Sequence, residues 1–233
     1  MKTIVVIPTY NEAENIVNLV AKIKKYLLEA EILFVDDNST DATRLIIKKL
    51  QLSLGHIHLL ERPLRHGLGP AYRAGFKKAM ELEADIIIQM DADLSHDPKY
   101  LPDLIKEIKS ADLVIASRYV KGGGINNWNF FRVLISRLAS IYARLILDLP
   151  YNDLTGGFKI WRKPALIQVL DNQPTANGYV YQIEMNFLAH KIGLIIKESP
   201  IVFSERIYGK SKMNFKIALE AGLKVWQLRF RSG

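Results

Sequence analysis

Five short apolar runs, residues 4–7, 32–35, 57–60, 86–90 and 113–116, are rich in Ile, Val and Leu and lack polar alternation. A strand with one wet face alternates, so such runs are expected where both faces of a sheet are covered, as in a mostly parallel sheet. Asn11 and Glu14 form a capping-box pattern, and Ile16, Leu19, Val20 and Ile23 follow at helical spacing. The chain therefore opens as strand, helix, strand.

The alternation continues. Ser39, Thr40 or Asp41 suits the start of a helix to about residue 50, Pro70 the start of one to about 82, and Asp97-Pro98 the start of another. After residue 117 the pattern changes: Gly122-Gly123-Gly124 reads as a loop, and long amphipathic segments are expected over residues 130–147 and 181–191. The 233 residues predict a single α/β domain, with a ligand-holding half over 1–117 and a second half over 118–233.

Thirty-two Lys and Arg against 24 Asp and Glu leave a charge of +8, which calls for an anionic partner without choosing among nucleotide, lipid phosphate, nucleic acid and acidic membrane. The basic residues are dispersed and no RNA or DNA motif accompanies them, so no nucleic-acid partner is expected. The absence of cysteine excludes disulfides, thiol catalysis and thiolate metal sites. The first apolar stretch ends at Pro8, too short for a secretory leader, which predicts a cytoplasmic protein. A spanning helix needs about 20 apolar residues. The longest candidate, over 134–149, is broken by Arg137, Arg144 and Asp148.

In an open parallel sheet, ligands bind beyond the carboxyl ends of the strands. Here those ends are acidic: the first run leads into Pro8-Thr9-Tyr10-Asn11-Glu12, the second into Asp36-Asp37, the fourth into Asp91-Ala92-Asp93. Two carboxylates spaced as Asp91 and Asp93, after a buried strand, present hard oxygen ligands to a divalent ion that also binds a diphosphate. An Asp-x-Asp triplet also suits a solvated loop, and Asp36-Asp37 reads equally as a helix-capping turn. Gly209-Lys210-Ser211 ends like a P-loop, but Ser204 stands where that motif needs its first Gly, and the first strand has no Gly-rich dinucleotide turn. An ATPase and a dehydrogenase are thereby excluded.

Five blocks carry a resemblance. They are Val6-Ile7-Pro8-Thr9-Tyr10-Asn11-Glu12, Val35-Asp36-Asp37-Asn38-Ser39, Met90-Asp91-Ala92-Asp93-Leu94-Ser95-His96, Asp153-Leu154-Thr155-Gly156-Gly157-Phe158 and Gly178-Tyr179-Val180-Tyr181-Gln182-Ile183-Glu184-Met185. Over nearly its whole length the chain resembles the inverting family-2 glycosyltransferases with a GT-A fold and, within them, the dolichol-phosphate (polyprenol-phosphate) mannose synthases.

The resemblance implies mannose transfer from GDP-mannose to a polyprenyl phosphate, with a UDP-glucose-dependent transferase as the alternative. It implies that Pro8, Tyr10, Glu12, Val35 and Asp37 line the guanosine pocket. Asp91, Ala92 and Asp93 would meet the diphosphate and a divalent metal, Mg2+ or Mn2+, with Ser95 as a further ligand; His96 is expected behind the site or at the surface. Arg206 and Lys212 match a basic pair that grips the diphosphate, although composition alone reads them as a solvated loop. Arg118, Arg132 and Ser136 match a clamp for the acceptor phosphate, and the i, i+4 spacing puts Arg132 and Ser136 on one helix face.

Residues 215–231 combine helical apolar spacing with Lys, Arg and Trp, which suits either a helix lying on a membrane surface or one packed on the core. Relatives that continue into transmembrane helices raise the expectation of peripheral attachment at the cytoplasmic face of a membrane, alone or through a separate membrane-anchoring subunit.

Overall fold

The computed structural model describes residues 1–128, 130–178, 180–205 and 215–230. Its first half alternates β1 (Thr3–Thr9), α1 (Ala13–Tyr26), β2 (Glu31–Asp36), α2 (Thr43–Leu54), β3 (Ile57–Glu61), α3 (Leu68–Glu81), β4 (Ile86–Gln89), α4 (Leu101–Glu107) and β5 (Leu113–Ser117). The second half adds β6 (Gly124–Ile125), α5 (Phe130–Leu147), β7 (Lys159–Arg162), α6 (Lys163–Asp171), α7 (Val180–Lys191), β8 (Ile196–Pro200), β9 (Val202–Phe203) and α8 (Phe215–Phe230).

Seven strands form one sheet in the order β3-β2-β1-β4-β7-β5-β8, and β6 and β9 form a short parallel ribbon. The pairs β1–β2, β1–β4, β2–β3 and β5–β8 are parallel, whereas β7 runs antiparallel to both β4 and β5. The five apolar runs are thus strands of a mostly parallel sheet, as the absence of alternation predicts. Ile4 and Val6 join one core with Phe76 of α3, Trp161 and Met185 of α7, while Val5 and Ile7 join another with Ile16 and Leu19 of α1 and Leu104 of α4. β1 buries both faces because successive side chains point opposite ways.

Sequence reasoning gave no β7 or β8. β7 is four residues with a cation at each end, and β8 (Ile-Lys-Glu-Ser-Pro) is a half-buried edge strand, so neither carries an apolar run. The capping box is corrected as well. Glu12, not Asn11, precedes α1 and its side chain makes no cap bond, while Asp41 Oδ2 accepts the Ala13 N–H at 3.3 Å; Asn11 adopts φ +57° and its Oδ1 accepts the Thr40 N–H at 2.9 Å, tying the turn after β1 to the turn after β2. Of the three candidates for α2, Asp41 accepts the Thr43 N–H. The segment over α7 is not amphipathic: its residues from Val180 to Phe187 are all buried, and the helix packs against α3, α6 and α8. Among the described residues no helix is long and apolar enough to cross a membrane.

α3 sits unusually close to the sheet. A Cβ on Gly75 would come within 2.5 Å of Val6 Cγ1 and 2.8 Å of Val35 Cγ2, both stiff β-branched side chains. Gly75→Ala is expected to destabilise the fold by about 1–3 kcal/mol through overpacking, against the roughly 1 kcal/mol that Ala gains over Gly in a helix. Urea denaturation should show that adding Val6→Ala costs less than the sum of the two single losses; strict additivity would contradict this packing.

Candidate active site

The strand order places the sequence-predicted turns in a row. β2, β1, β4, β7 and β5 are consecutive, so Asp37, Tyr10, Asp91, Gly157 and Arg118 follow one another along one edge of the sheet, over four strand spacings or roughly 19 Å. Connections leave β1 toward β2 on one side and β4 lies on the other, which makes the gap between β1 and β4 the switch point where an open sheet forms its crevice.

At the β2 end the two adjacent aspartates divide their tasks. Asp36 is fully buried and accepts from the Ser39 N–H at 3.0 Å, the Thr9 hydroxyl at 3.2 Å, the Ser39 hydroxyl and Arg44 Nε; it builds the turn. Asp37 instead pairs with Arg62, just after β3, and burial raises its carboxyl above the usual range against the pull of that guanidinium. Arg65 lies over the Tyr10 ring at 4.2 Å. Neither arginine was singled out from the sequence, though Arg62 stands two residues past the third apolar run, where a search of strand ends would reach it. Glu12 accepts from the Asn15 side chain at 2.8 Å. Pro8 is in register with Val35, and Val35 is fully buried in the core against α3, so its reach toward any ligand runs through the main chain.

Beyond β4, Asp91 keeps a third of its side chain exposed while the Tyr72 hydroxyl donates to its Oδ1 at 3.1 Å. The Asp91 N–H donates to His96 Nδ1 at 3.1 Å, which leaves the proton of the neutral ring on Nε2, 3.9 Å from Asp91 Oδ2. His96 is buried and stacked on Phe158, not at the surface, and burial pulls its pKa down despite the Asp91 and Asp93 carboxylates. Ser95 is buried too; its N–H donates to Asp93 Oδ1 at 3.1 Å and its hydroxyl donates to the same oxygen, holding that carboxylate in place. Ala92 is buried in the core. A Cβ on Gly157 would stand 3.3 Å from both Asp91 oxygens, so glycine there keeps open the space in front of the carboxylate. Hard oxygen donors beside such a space fit a divalent ion. Among the described residues no group of three acidic, His or Cys side chains surrounds one, so further ligands would have to come from a bound diphosphate and water.

At the β5 end, Arg118 is buried and forked onto Asp153. Its N–H and Nε donate to Oδ2 at 3.0 and 2.7 Å, and Nη2 donates to Oδ1 at 2.7 Å and to the Thr155 hydroxyl at 2.8 Å. Burial alone would lower the guanidinium pKa and raise the carboxyl; their mutual attraction outweighs it, raising Arg118 and lowering Asp153. The Tyr119 hydroxyl donates to Ser136 Oγ at 2.7 Å, while Arg132 covers the Trp128 ring at 3.9 Å and donates to Glu205 at 2.8 Å. Phe203 joins the groups: its ring centroid is 5.6 Å from His96, 5.3 Å from Trp128 and 5.4 Å from the Arg118 guanidinium. Arg206 and Lys212 lie outside the described residues.

Beneath the row, Lys159 is fully buried. Its Nζ donates to the Gln182 carbonyl at 3.0 Å and to Gln182 Oε1 at 2.7 Å, and Gln89 donates to that same Oε1 at 2.6 Å. Tyr181 stacks on Tyr72, and Glu184 accepts from the Thr175 and Ala176 N–H groups. The block around α7 therefore braces the floor under Asp91.

A largely parallel sheet with helices on both faces, a switch point between β1 and β4 and paired carboxylates at the fourth strand end are the features of an open α/β ligand-binding fold. Residues 4–170 match the family described as glycosyl transferase family 2. The chain belongs to that family and is a glycosyltransferase of α/β, GT-A architecture.

It is 38% identical over 233 residues, 99% of this chain and 96% of the relative, to undecaprenyl-phosphate mannosyltransferase of Micrococcus luteus. It is 37% identical over 234 residues, 99% of this chain and 88% of the relative, to polyprenol monophosphomannose synthase of Mycolicibacterium smegmatis. Among solved structures it resembles glucosyl-3-phosphoglycerate synthase from Mycobacterium tuberculosis in complex with Mn2+, UDP and phosphoglyceric acid, with a TM-score of 0.69, 19% identity, and coverage of 99% of this chain and 78% of that one. At that identity the likeness speaks for the fold alone.

Lys159 makes the site's floor sensitive to pH. Burial pulls its ammonium from 10.5 down to about 7, although Asp153 and Asp91 pull the other way. Between those two values the unfolded chain binds more protons than the folded one, so the penalty, full below pH 7, is relieved as pH rises. Relative to Lys159→Met, the metal-free wild type is expected to gain about 2–3 kcal/mol of unfolding free energy between about pH 6.5 and about pH 9. A pH-independent difference in urea melts would show that the ammonium is not held in this way.

Proposed function

We propose that the protein transfers mannose from GDP-mannose to a polyprenyl phosphate, inverting the anomeric carbon and releasing GDP. The observation that carries this reading is identity of 37–38% across 99% of the chain with two relatives whose names give that sugar and that class of lipid. Along the row, Pro8, Tyr10, Glu12, Val35 and Asp37 would take the guanosine, Asp91, Ala92 and Asp93 the diphosphate, and Arg118, Arg132 and Ser136 the lipid phosphate. Arg206 and Lys212 would draw off the charge that builds on the leaving diphosphate.

The order of residues along the sheet supports this, since it runs from base to phosphate to acceptor as the substrates do. Asp91 and Asp93 would hold Mg2+ or Mn2+, with Ser95 beside them; the Mycobacterium tuberculosis synthase was crystallised with Mn2+. Such an ion, when bound, neutralises the diphosphate and makes it a better leaving group. Tyr72 and Ser95 would keep the two carboxylates oriented.

The acceptor supplies its own nucleophile. The second pKa of a phosphate monoester is about 6, so near neutrality it attacks without a general base. This agrees with His96, whose Nδ1 is occupied by the Asp91 N–H and whose ring is buried and neutral. One phosphate oxygen forms a bond to the anomeric carbon as the bond to the diphosphate oxygen breaks, and the guanidinium of Arg118 would orient that oxygen in line.

Access to the lipid fits a membrane surface at the cytoplasmic face. α5 exposes Phe131, Leu134, Ile135, Leu138 and Leu145, and α8, tied to it by the Tyr142 hydroxyl donating to the Gly222 carbonyl at 3.1 Å, exposes Leu223, Trp226 and Phe230. Phe131, Leu145 and Phe230 are each more than 70% exposed, which a face in contact with water alone does not reward. Arg137 stands exposed among them as a partner for acidic headgroups.

Two measurements test these readings. Asp93→Ala should lower mannosyl transfer from GDP-mannose to polyprenyl phosphate about a hundredfold or more, and GDP-mannose should raise the melting temperature more than UDP-glucose does; full turnover in the variant, or the reverse donor order, would overturn the assignment. Leu138→Asp with Trp226→Asp should abolish flotation with anionic liposomes. Undiminished flotation of the variant would remove this face as the membrane contact, and failure of the wild type to float would leave a separate anchoring subunit as its occupant.

A further inference from the structure

Glu198 stands on β8, outside every motif of the sequence, yet its carboxylate collects four hydrogen bonds. Oε1 accepts from the Ser117 hydroxyl at 2.7 Å and the Asp153 N–H at 2.9 Å; Oε2 accepts from the Asn152 N–H at 2.8 Å and the Asn152 side-chain amide at 3.0 Å. All four donors are neutral. A carboxylate is retained here for its capacity to accept in pairs at both oxygens, which no neutral side chain matches.

What it holds is the junction of the acceptor side. Ser117 ends β5 and is followed by Arg118; Asn152 and Asp153 open the turn that leads to Gly157 and β7. Asp153 in turn accepts from Arg118 three times and from the Gly156 N–H at 3.0 Å. Arg144 of α5 secures the far side of Asn152, donating to its Oδ1 at 3.1 Å. Because the guanidinium plane is set by Asp153, and the Asp153 main chain by Glu198, a shift at β8 reaches the guanidinium through two bonds.

We propose that Glu198 is a positioning residue for the acceptor phosphate, acting through Asp153 on Arg118. The inference rests on the reading that Arg118 holds that phosphate. Glu198→Gln would turn an amide N–H2 toward two of the four donors, loosening the turn while conserving shape. A displacement of about 1 Å in a group that orients a nucleophile can cost up to about a hundredfold in rate.

The experiment is steady-state kinetics on the full chain with GDP-mannose and a short-chain polyprenyl phosphate, alongside direct titration of GDP-mannose. Glu198→Gln is expected to lower kcat/KM for the lipid phosphate about tenfold, corresponding to about 1.4 kcal/mol, and to leave the Kd for GDP-mannose within about twofold. In an Arg118→Ala background the same substitution should add less than about twofold, because the group it acts through is gone. If Arg118→Ala impairs acceptor use but Glu198→Gln does not, or if the two losses multiply, or if donor affinity falls in parallel, the positioning role is overturned. If Arg118→Ala leaves acceptor kinetics intact, the acceptor reading fails first and takes this inference with it. Should Glu198→Gln not fold, Ser117→Ala and Asn152→Ala each remove one donor and should lower acceptor kcat/KM about two- to threefold; no effect from either overturns the proposal.

Discussion

The antiparallel insertion of β7 between β4 and β5 is the constraint from which the site follows. A parallel strand in that place would send its first residues to the opposite edge of the sheet. Running the other way, β7 starts where β4 and β5 end, so the turn from Asp153 to Phe158 arrives among the acidic residues. That places Gly157 against Asp91 and Asp153 against Arg118, and gives the crevice a wall that the alternating half of the chain could not supply.

Buried charge divides by task. Taking an ion out of water costs several kcal/mol unless its lone pairs or protons are satisfied. Asp36 and Asp153 meet that cost with four donors each, and both serve to fix a turn. Lys159, brought in by β7, is met by neutral acceptors of α7, and its charge is correspondingly weakly held. Asp91 differs in keeping a third of its side chain in solvent while neighbours orient it. Groups that build the scaffold are saturated; the carboxylate facing the crevice is aimed but left accessible.

Electrostatics and packing divide the molecule along the sheet. At the β2 end, Arg62 and Arg65 face Asp37 and Tyr10, while the β5 end joins Arg118 and Arg132 to aromatic rings through Phe203 and Trp128. The apolar outer faces of α5 and α8 adjoin the second group, so an acceptor with an anionic head and an apolar tail would find both chemistries on one side of the protein.

The amino-acid sequence by itself determined five strands of the sheet, since runs such as Ile86-Ile87-Ile88 without alternation suit strands covered on both faces, and it marked the strand ends that carry Asp37, Asp91 and Asp93. It also bounded α5, whose helical spacing is local. What it could not decide was pairing across long separations. Lys159 reads as a surface cation until β7 is seen between two strands, and Glu198 reads as an edge charge until the Asn152–Asp153 turn folds onto it. Asn11 looked like a cap because capping geometry is local, whereas the bond it makes, to Thr40, exists only once two turns distant in sequence stand side by side. Periodicity records what one residue does to its near neighbours; which polar groups meet in the interior is set by strand order, and strand order belongs to the tertiary structure.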